Sequence, residues 1–316
     1  MLNILKKNRV SVKHVSGGAK FKIYLSKRPK VFGGGSSTFA RLFKKWAISQ
    51  GHSIVSRISK ADLVIVIAHL GEIKDLKKAN MRNCCIIHRL DEHFEEAGLL
   101  SDKHKKIIEL NKYADITVFQ SRFVFNNIYP VIKPEKYKII HNGGDPFLFS
   151  PGKVQGSYIG HATWGIGPKK KLDILHNFII THPEEQFLLI GRHKESRLDF
   201  DMPNVKCVGK VRPKNLPDYF QKMKMLYYPS ENDPCPNTVI ESILCGVPVC
   251  YNPKGGTIEL VKGQNNNKEQ IAGLPIEQVD EMLQNLNIYR ANCLNRKDLF
   301  FDTVFSSYLD TTTKKN

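Results

Sequence analysis

Two acids stand eight residues apart in the stretch Asp233-Pro-Cys-Pro-Asn-Thr-Val-Ile-Glu241. Between them a Pro-Asn-Thr turn opens an apolar run, and Gly246-Val247-Pro248 closes it. The pattern predicts a short helix, capped by Asn237 and Thr238, that breaks into a strand. Free N–H groups at such a helix start, with the helix dipole behind them, attract phosphate. Glu241, a turn further in, can accept hydrogen bonds from the hydroxyls of a ribose. One helix could thus hold a nucleotide diphosphate with few side chains. The same stretch also reads as an ordinary capped helix of an α/β domain, and two spaced acids alone do not decide between these readings.

The rest of the chain must position that helix. Short apolar runs alternate with helical patterns, which predicts βαβ units. Strands are expected over 21–25, 53–58, 63–70, 84–90, 116–121 and 137–142, then over 157–162, 186–192, 204–209, 225–230 and 248–252. Helical patterns fall near 36–50, 102–112 and 121–128, then near 170–182, 213–222, 236–245, 256–262, 276–288 and 296–309. A Gly-, Pro- and Ser-rich stretch at 141–157 separates the two series. The expected fold class is α/β, with two βα domains spanning 1–150 and 151–316. The last helix could pack back on the first domain, and the final Thr-Thr-Thr-Lys-Lys-Asn should fray.

The 316 residues carry a formal net charge of +18. Fourteen Lys or Arg lie in residues 1–61 with no acid before Asp62, whereas the remainder holds 34 basic against 30 acidic residues. A basic amino-terminal lobe points to an anionic partner or to a solvated Lys-rich face. The anionic candidates are a membrane surface, a phosphorylated lipid, an acidic glycan and nucleic acid. No nucleic-acid-binding motif is recognisable, so specific nucleic-acid binding is not expected. No run approaches 18 apolar residues, and MLNILKKNRV has no long apolar core, so neither a transmembrane helix nor a secretory signal is expected. Seven cysteines, an odd number without a Cys-x-x-Cys pair, read as reduced core residues of a cytoplasmic protein.

Other residues could add chemistry. Gly33, Gly34 and Gly35 precede a helix, and without Cβ atoms they would let N–H groups approach an anion; a flexible turn is the alternative. His88 and His69 end predicted strands, where open α/β sheets line ligand crevices. Asp199-Phe200-Asp201 has an Asp-x-Asp form that can bind a divalent metal, but it lies between two strands and reads as a solvated turn. Cysteines and histidines show no ligand spacing, so no metal site is expected. On helix 36–50, Phe39, Leu42, Phe43 and Trp46 share a face, with Arg41, Lys44 and Lys45 elsewhere. That stripe is either a core face or an interfacial membrane helix, which would make the protein peripheral on a membrane.

Several stretches in order resemble the glycosyltransferases with the GT-B fold, specifically the large retaining family that carries Glu-x7-Glu (glycosyl transferases group 1, family 4-like). They are FGGGSSTFARLFKKWAISQGH (32–52), HRLDEHFEE (88–96), ADITVFQSRF (114–123), KIIHNGGDPFLFSP (138–151), IGHATWGIGPKKKLDIL (159–175), NVKCVGKVRPKNLPDYFQKMKMLYYPS (204–230) and GGTIELV (255–261). Asp233 takes the place of the first Glu and Glu241 that of the second. The resemblance implies two Rossmann-like domains facing a cleft, the first for the acceptor and the second for the nucleotide sugar. It makes Lys170 the main phosphate cation, with Lys169 and Lys171 as rivals. Where the family has an Arg five or six residues earlier, this chain has His161 and Trp164, and Arg192 could substitute. Lys171 stands where the family has Gly. Gly34 and Gly35 would touch the donor phosphate, and His88 would face the donor sugar, with Asp91 orienting it or binding acceptor. The implied catalytic set is Lys170, Asp233, Glu241 and His88; Gly34, Gly35, His161, Arg192, Asn237, Thr238 and Glu241 would bind the donor.

The activity implied is transfer of a sugar from a nucleotide diphosphate sugar to a hydroxyl of a glycan, lipid or protein acceptor. The donor is a substrate, so no cofactor is implied, and the reaction would retain configuration without a metal. Two other readings stay open: another GT-B nucleotide-sugar enzyme such as an epimerase, or a non-enzymatic basic protein that binds polyanions.

Overall fold

The computed structural model describes residues 20–28, 34–94, 100–153, 155–263 and 267–313, with side chains as far as 310. Gly33, the basic residues before Lys20 and the last residues of the chain lie outside that set. Two parallel sheets form the frame. The first comprises β1 (Lys22–Leu25), β2 (Ser53–Ile54), β3 (Leu63–Ile67), β4 (Cys85–Leu90), β5 (Ile116–Phe119) and β6 (Tyr137–Ile139), in the order β2-β1-β3-β4-β5-β6. The second comprises β7 (Tyr158–Thr163), β8 (Phe187–Gly191), β9 (Val205–Gly209), β10 (Met223–Tyr228) and β11 (Val249–Tyr251), in the order β11-β10-β7-β8-β9. All five residues of β3 are buried, as a parallel strand covered on both faces requires, and such strands read as unbroken apolar runs.

Strand order reverses between β1 and β3 in the first sheet and between β7 and β10 in the second. Open α/β sheets bind ligands beyond the strand carboxyl ends at such points. Residues following β3 and β7, and Tyr228 at the end of β10, all line one cleft between the two sheets.

Helix α1 (Gly35–Ser49) leads from that cleft and buries Phe39, Leu42, Phe43 and Trp46. Their partners include Phe305 and Tyr308 of the terminal helix α11 (Phe301–Thr313), with Phe39 and Phe305 centroids 5.6 Å apart. The last helix therefore crosses back onto the first domain. The interfacial-membrane reading of the stripe fails, because those side chains are in the core. Lys45 is tied to the buried Asp145 of the connecting stretch at 2.5 Å, and Arg41 turns to the cleft. Helix α2 (Ile73–Met81) had no sequence signal: it buries only Leu76 and Ala79. The remaining helices are α3 (Asp102–Asn111), α4 (Arg122–Ile132), α5 (Leu172–Thr181), α6 (Leu216–Phe220), α7 (Asn237–Leu244), α8 (Thr257–Lys262), α9 (Val279–Gln284) and α10 (Leu286–Leu294). The single helix expected over 276–288 is thus two. Among the described residues no helix is long and apolar enough to cross a membrane.

Candidate active site

The cleft holds about 510 Å³. The first domain contributes Gly34, Gly35, Arg41, His69, Asp91 and Glu92, and the second contributes Lys170, Lys210, Asp233, Asn237, Thr238 and Glu241.

Lys170 arrives by a tight route. After β7 the chain loops through Trp164 to a single 3-10 turn, Pro168–Lys170. Its Nζ donates to Asp233 Oδ2 at 3.0 Å, and the Tyr228 hydroxyl donates to the same oxygen at 2.8 Å. The Tyr228 phenol and the Asp233 carboxylate push the Lys170 ammonium up, so it stays charged. Burial, reinforced by Asp233, likewise raises Tyr228 and keeps its proton on the oxygen. Lys171 follows with φ +48, the left-handed conformation that Gly adopts freely, which explains why a Gly suits this position. Its ammonium pairs with Glu231 at 2.8 Å. Of these two neighbours, Lys170 is the one that lines the cleft.

Helix α7 points its start into the same space. Its cap is Pro236, and neither Asn237 nor Thr238 caps it through a side chain, contrary to expectation. Both instead occupy the first turn and face the cleft, where N–H groups have no intrahelical acceptor. Opposite them stands the start of α1, with Gly34 as a cap that has no side chain to offer. A Cβ on Gly35 would lie 3.7 Å from Asn237 Nδ2, so the two helix starts nearly touch across the cleft. Two positive dipole ends and Lys170 give this part of the cleft the charge that an anion would require. Glu241 lies one turn deeper; burial pushes its carboxyl up to about 8, with the Arg41 guanidinium from the first domain pulling the other way.

Three expected site residues lie elsewhere. His88 is fully buried within β4: its Nε2 is 2.9 Å from Ala68 O, and its Nδ1 is 3.0 Å from Asn111 Nδ2. Burial lowers it to about 4, so the neutral ring accepts from the amide and donates to the carbonyl. It supports the cleft wall from behind and is not part of it. His161 is also fully buried, its Nδ1 2.6 Å from Nε2 of His193, and burial with the neighbouring ring holds it well below the usual range. Two neutral rings sharing one proton fill the interior and offer no charge to a phosphate. Arg192 follows the left-handed Gly191, whose turn sends the guanidinium to a side pocket, where its Nε donates to Glu195 at 2.7 Å.

Asp91 does line the cleft, but its partner is Arg89, whose Nη1 donates to Asp91 Oδ2 at 2.6 Å. Arg89 is wholly buried, also donates to Asn142 Oδ1 at 2.8 Å, and stacks over Phe39 at 4.1 Å. Successive strand residues face opposite sides, so His88 and Arg89 cannot both point one way. His69 meets Glu92 at 3.5 Å on the cleft wall; burial, then the Lys103 charge, lowers the histidine, and burial, then Asp91, raises the glutamate. Sequence reasoning did not single out Arg89, Lys210 or Tyr228. The available signal was position, since Lys210 follows the end of β9 and Tyr228 ends β10. Asp199 Oδ1 accepts from the Asp201 N–H at 2.8 Å in an exposed turn. Among the described residues no three His, Cys, Asp or Glu side chains gather as metal ligands.

Residues 158–287 match the family model described as Glycosyl transferases group 1. The fold is similar to that of HepE from Anabaena, solved with UDP-glucose, at TM-score 0.70 and 15% identity over 92% of this chain and 99% of that one. It is similar also to an alpha-glucosyltransferase solved with UDP and a 13-mer DNA, at TM-score 0.69 and 12% identity over 94% and 100% of the two chains. Sucrose-phosphate synthase from Thermosynechococcus elongatus gives TM-score 0.62 and 16% identity over 85% and 75%. No curated protein matches by sequence.

Proposed function

We propose that this chain, whose residues 158–287 match the glycosyl transferases group 1 model and whose fold is that of the GT-B enzymes, transfers a sugar from a nucleotide diphosphate sugar to an acceptor hydroxyl. The observation that carries this reading is the Lys170–Asp233 pair beside the start of α7, facing Gly35 across the cleft. Lys170 and the two helix starts would neutralise the diphosphate as it leaves, which is the main electrostatic demand of the reaction. Lys210 and Arg41 also line that space. Glu241 would accept from the ribose, and Asp233 would orient Lys170 and the sugar. With charge supplied by side chains and dipoles, the reaction needs no metal ion, and by its family likeness it retains anomeric configuration.

The second domain (151–316) would bind the donor and the first (1–150) the acceptor, a glycan, lipid or protein hydroxyl. The basic amino-terminal lobe suits an anionic acceptor or membrane surface, consistent with a cytoplasmic protein that works at the membrane periphery. A mass-spectrometric screen of nucleotide sugars tests the reading. Release of the nucleoside diphosphate with sugar transferred to an added acceptor, or to water, supports it. Inversion of the donor sugar without release would favour an epimerase instead.

A further inference from the structure

Glu259 on α8 reaches from the second domain to the first. Its carboxylate accepts from the N–H groups of Arg122, at 2.8 Å, and Phe123, at 2.9 Å, at the start of α4. Its Oε2 also lies 3.0 Å from His141 Nε2. Ser121 caps α4 only through the Val124 N–H, so Glu259 supplies the acceptors that the first turn otherwise lacks. Burial works against the charge, yet the His141 and backbone donors hold this carboxyl below its ordinary range.

The other end of the same short segment is fixed to the donor side. Gly256, which precedes α8, donates its N–H to Asp233 O at 2.9 Å. A Cβ on Gly256 would stand 1.9 Å from Pro234 O and 2.9 Å from Ser121 Oγ, so the turn is pressed between both domains. Asp233 in turn holds Lys170. Glu259 itself does not line the cleft.

We propose that Glu259 is a positioning residue that locks α4 of the first domain to the Asp233 loop, so that cleft closure and placement of the Lys170–Asp233 pair are one event. This rests on the glycosyltransferase reading, in which that pair serves the donor diphosphate. The test compares wild type, Glu259→Ala and the near-isosteric Glu259→Gln by amide hydrogen exchange and by titration with UDP and GDP. Exchange at Arg122 and Phe123 should quicken about tenfold in the Ala variant, the scale of a lost helix cap, and less in Gln. Exchange over 231–236 should quicken with it, and affinity for whichever nucleotide binds should fall about fivefold. Unchanged exchange at Arg122 and Phe123 would show that the lock is absent. Faster exchange there with unchanged protection at 231–236 and unchanged nucleotide affinity would show that it positions nothing. Should wild type bind neither nucleotide, the functional reading fails, and protection at 231–236 alone decides whether Glu259 fixes the Asp233 loop.

Discussion

Lys170 Nζ and Asp233 Oδ2 lie 3.0 Å apart, although 63 residues separate them in the chain. The contact joins the turn after β7 to the loop after β10, the two strands that flank the switch point of the second sheet. It parks a permanent cation where a diphosphate would sit, with the anionic partner that holds it aimed at the cleft.

Lys170→Ala should therefore slow sugar transfer much more than it weakens nucleotide binding. Charge grows on the diphosphate as the sugar departs, so the cation acts mainly in the transition state, where removing one such group costs roughly a hundredfold or more in kcat. Steady-state kinetics beside UDP titration separates the two effects. Equal losses in both would reduce Lys170 to a simple phosphate ligand.

Nucleotide binding should release a proton from Glu241. Its value of about 8 stands above the ordinary 4.5, so the free protein keeps the proton at neutral pH. Ribose hydroxyls donate best to the carboxylate. Affinity should thus rise with pH, by at most about tenfold per unit, and level off above about 8. By the same linkage this carboxyl contributes stability that is full at low pH and lost as pH rises through its folded value. Calorimetry in buffers of different ionisation enthalpy reads the proton directly. Glu241→Gln should remove the release and weaken binding roughly ten- to a hundredfold, and Arg41→Ala should move the midpoint upward. Release of a proton that survives in Glu241→Gln would place it on another group.

His88 separates a structural histidine from a catalytic one. Removing the ring leaves Ala68 O without its donor, at roughly 1–3 kcal/mol for the buried carbonyl, while Asn111 Nδ2 keeps its bond to Thr117 Oγ1 at 2.9 Å. His88→Ala and the milder His88→Gln should lower the melting temperature while the folded protein binds nucleotide as wild type does. A variant of wild-type stability that had lost turnover would return His88 to the chemistry.

Much of this arrangement was legible in the chain. Parallel strands buried on both faces read as apolar runs, and the helix from Asn237 to Leu244 announced itself through Pro236 before it and Gly246 after. What did not carry over was direction. The rule that strand ends line crevices cannot tell His88, facing inward, from Asp91, three residues on and facing the cleft. Arg192 looked available for phosphate because the turn set by Gly191 is invisible in sequence; a Cβ there would lie 1.8 Å from Thr163 O. His161 looked like a ligand until the fold set His193 beside it. Arg41, Lys44 and Lys45 read only as lying off the apolar stripe; the helix sends them apart, to the cleft, to solvent and to Asp145.

That separation alters the test of the basic lobe. Lys45 is tied to Asp145 and Arg41 lines the cleft, so the exposed Lys44, Lys22, Arg57 and Lys60 are the substitutions to combine. Acceptor or anionic-liposome binding should weaken with that variant and with added salt, since exposed charges are screened beyond roughly 10 Å at 0.1 M, while nucleotide affinity holds. DNA belongs in the same series as a second polyanion of different chemistry. Preference for DNA over liposomes would replace the membrane reading, and insensitivity to both salt and substitution would leave the charge as a solvated face.

The most direct measurement is calorimetric titration of the intact chain with UDP and GDP, repeated in excess EDTA. The account predicts saturable one-to-one binding of at least one of them, unchanged by the chelator and weakened in Glu241→Ala. Absence of binding to either nucleotide, or binding that vanishes with EDTA and returns with magnesium or manganese, would contradict it.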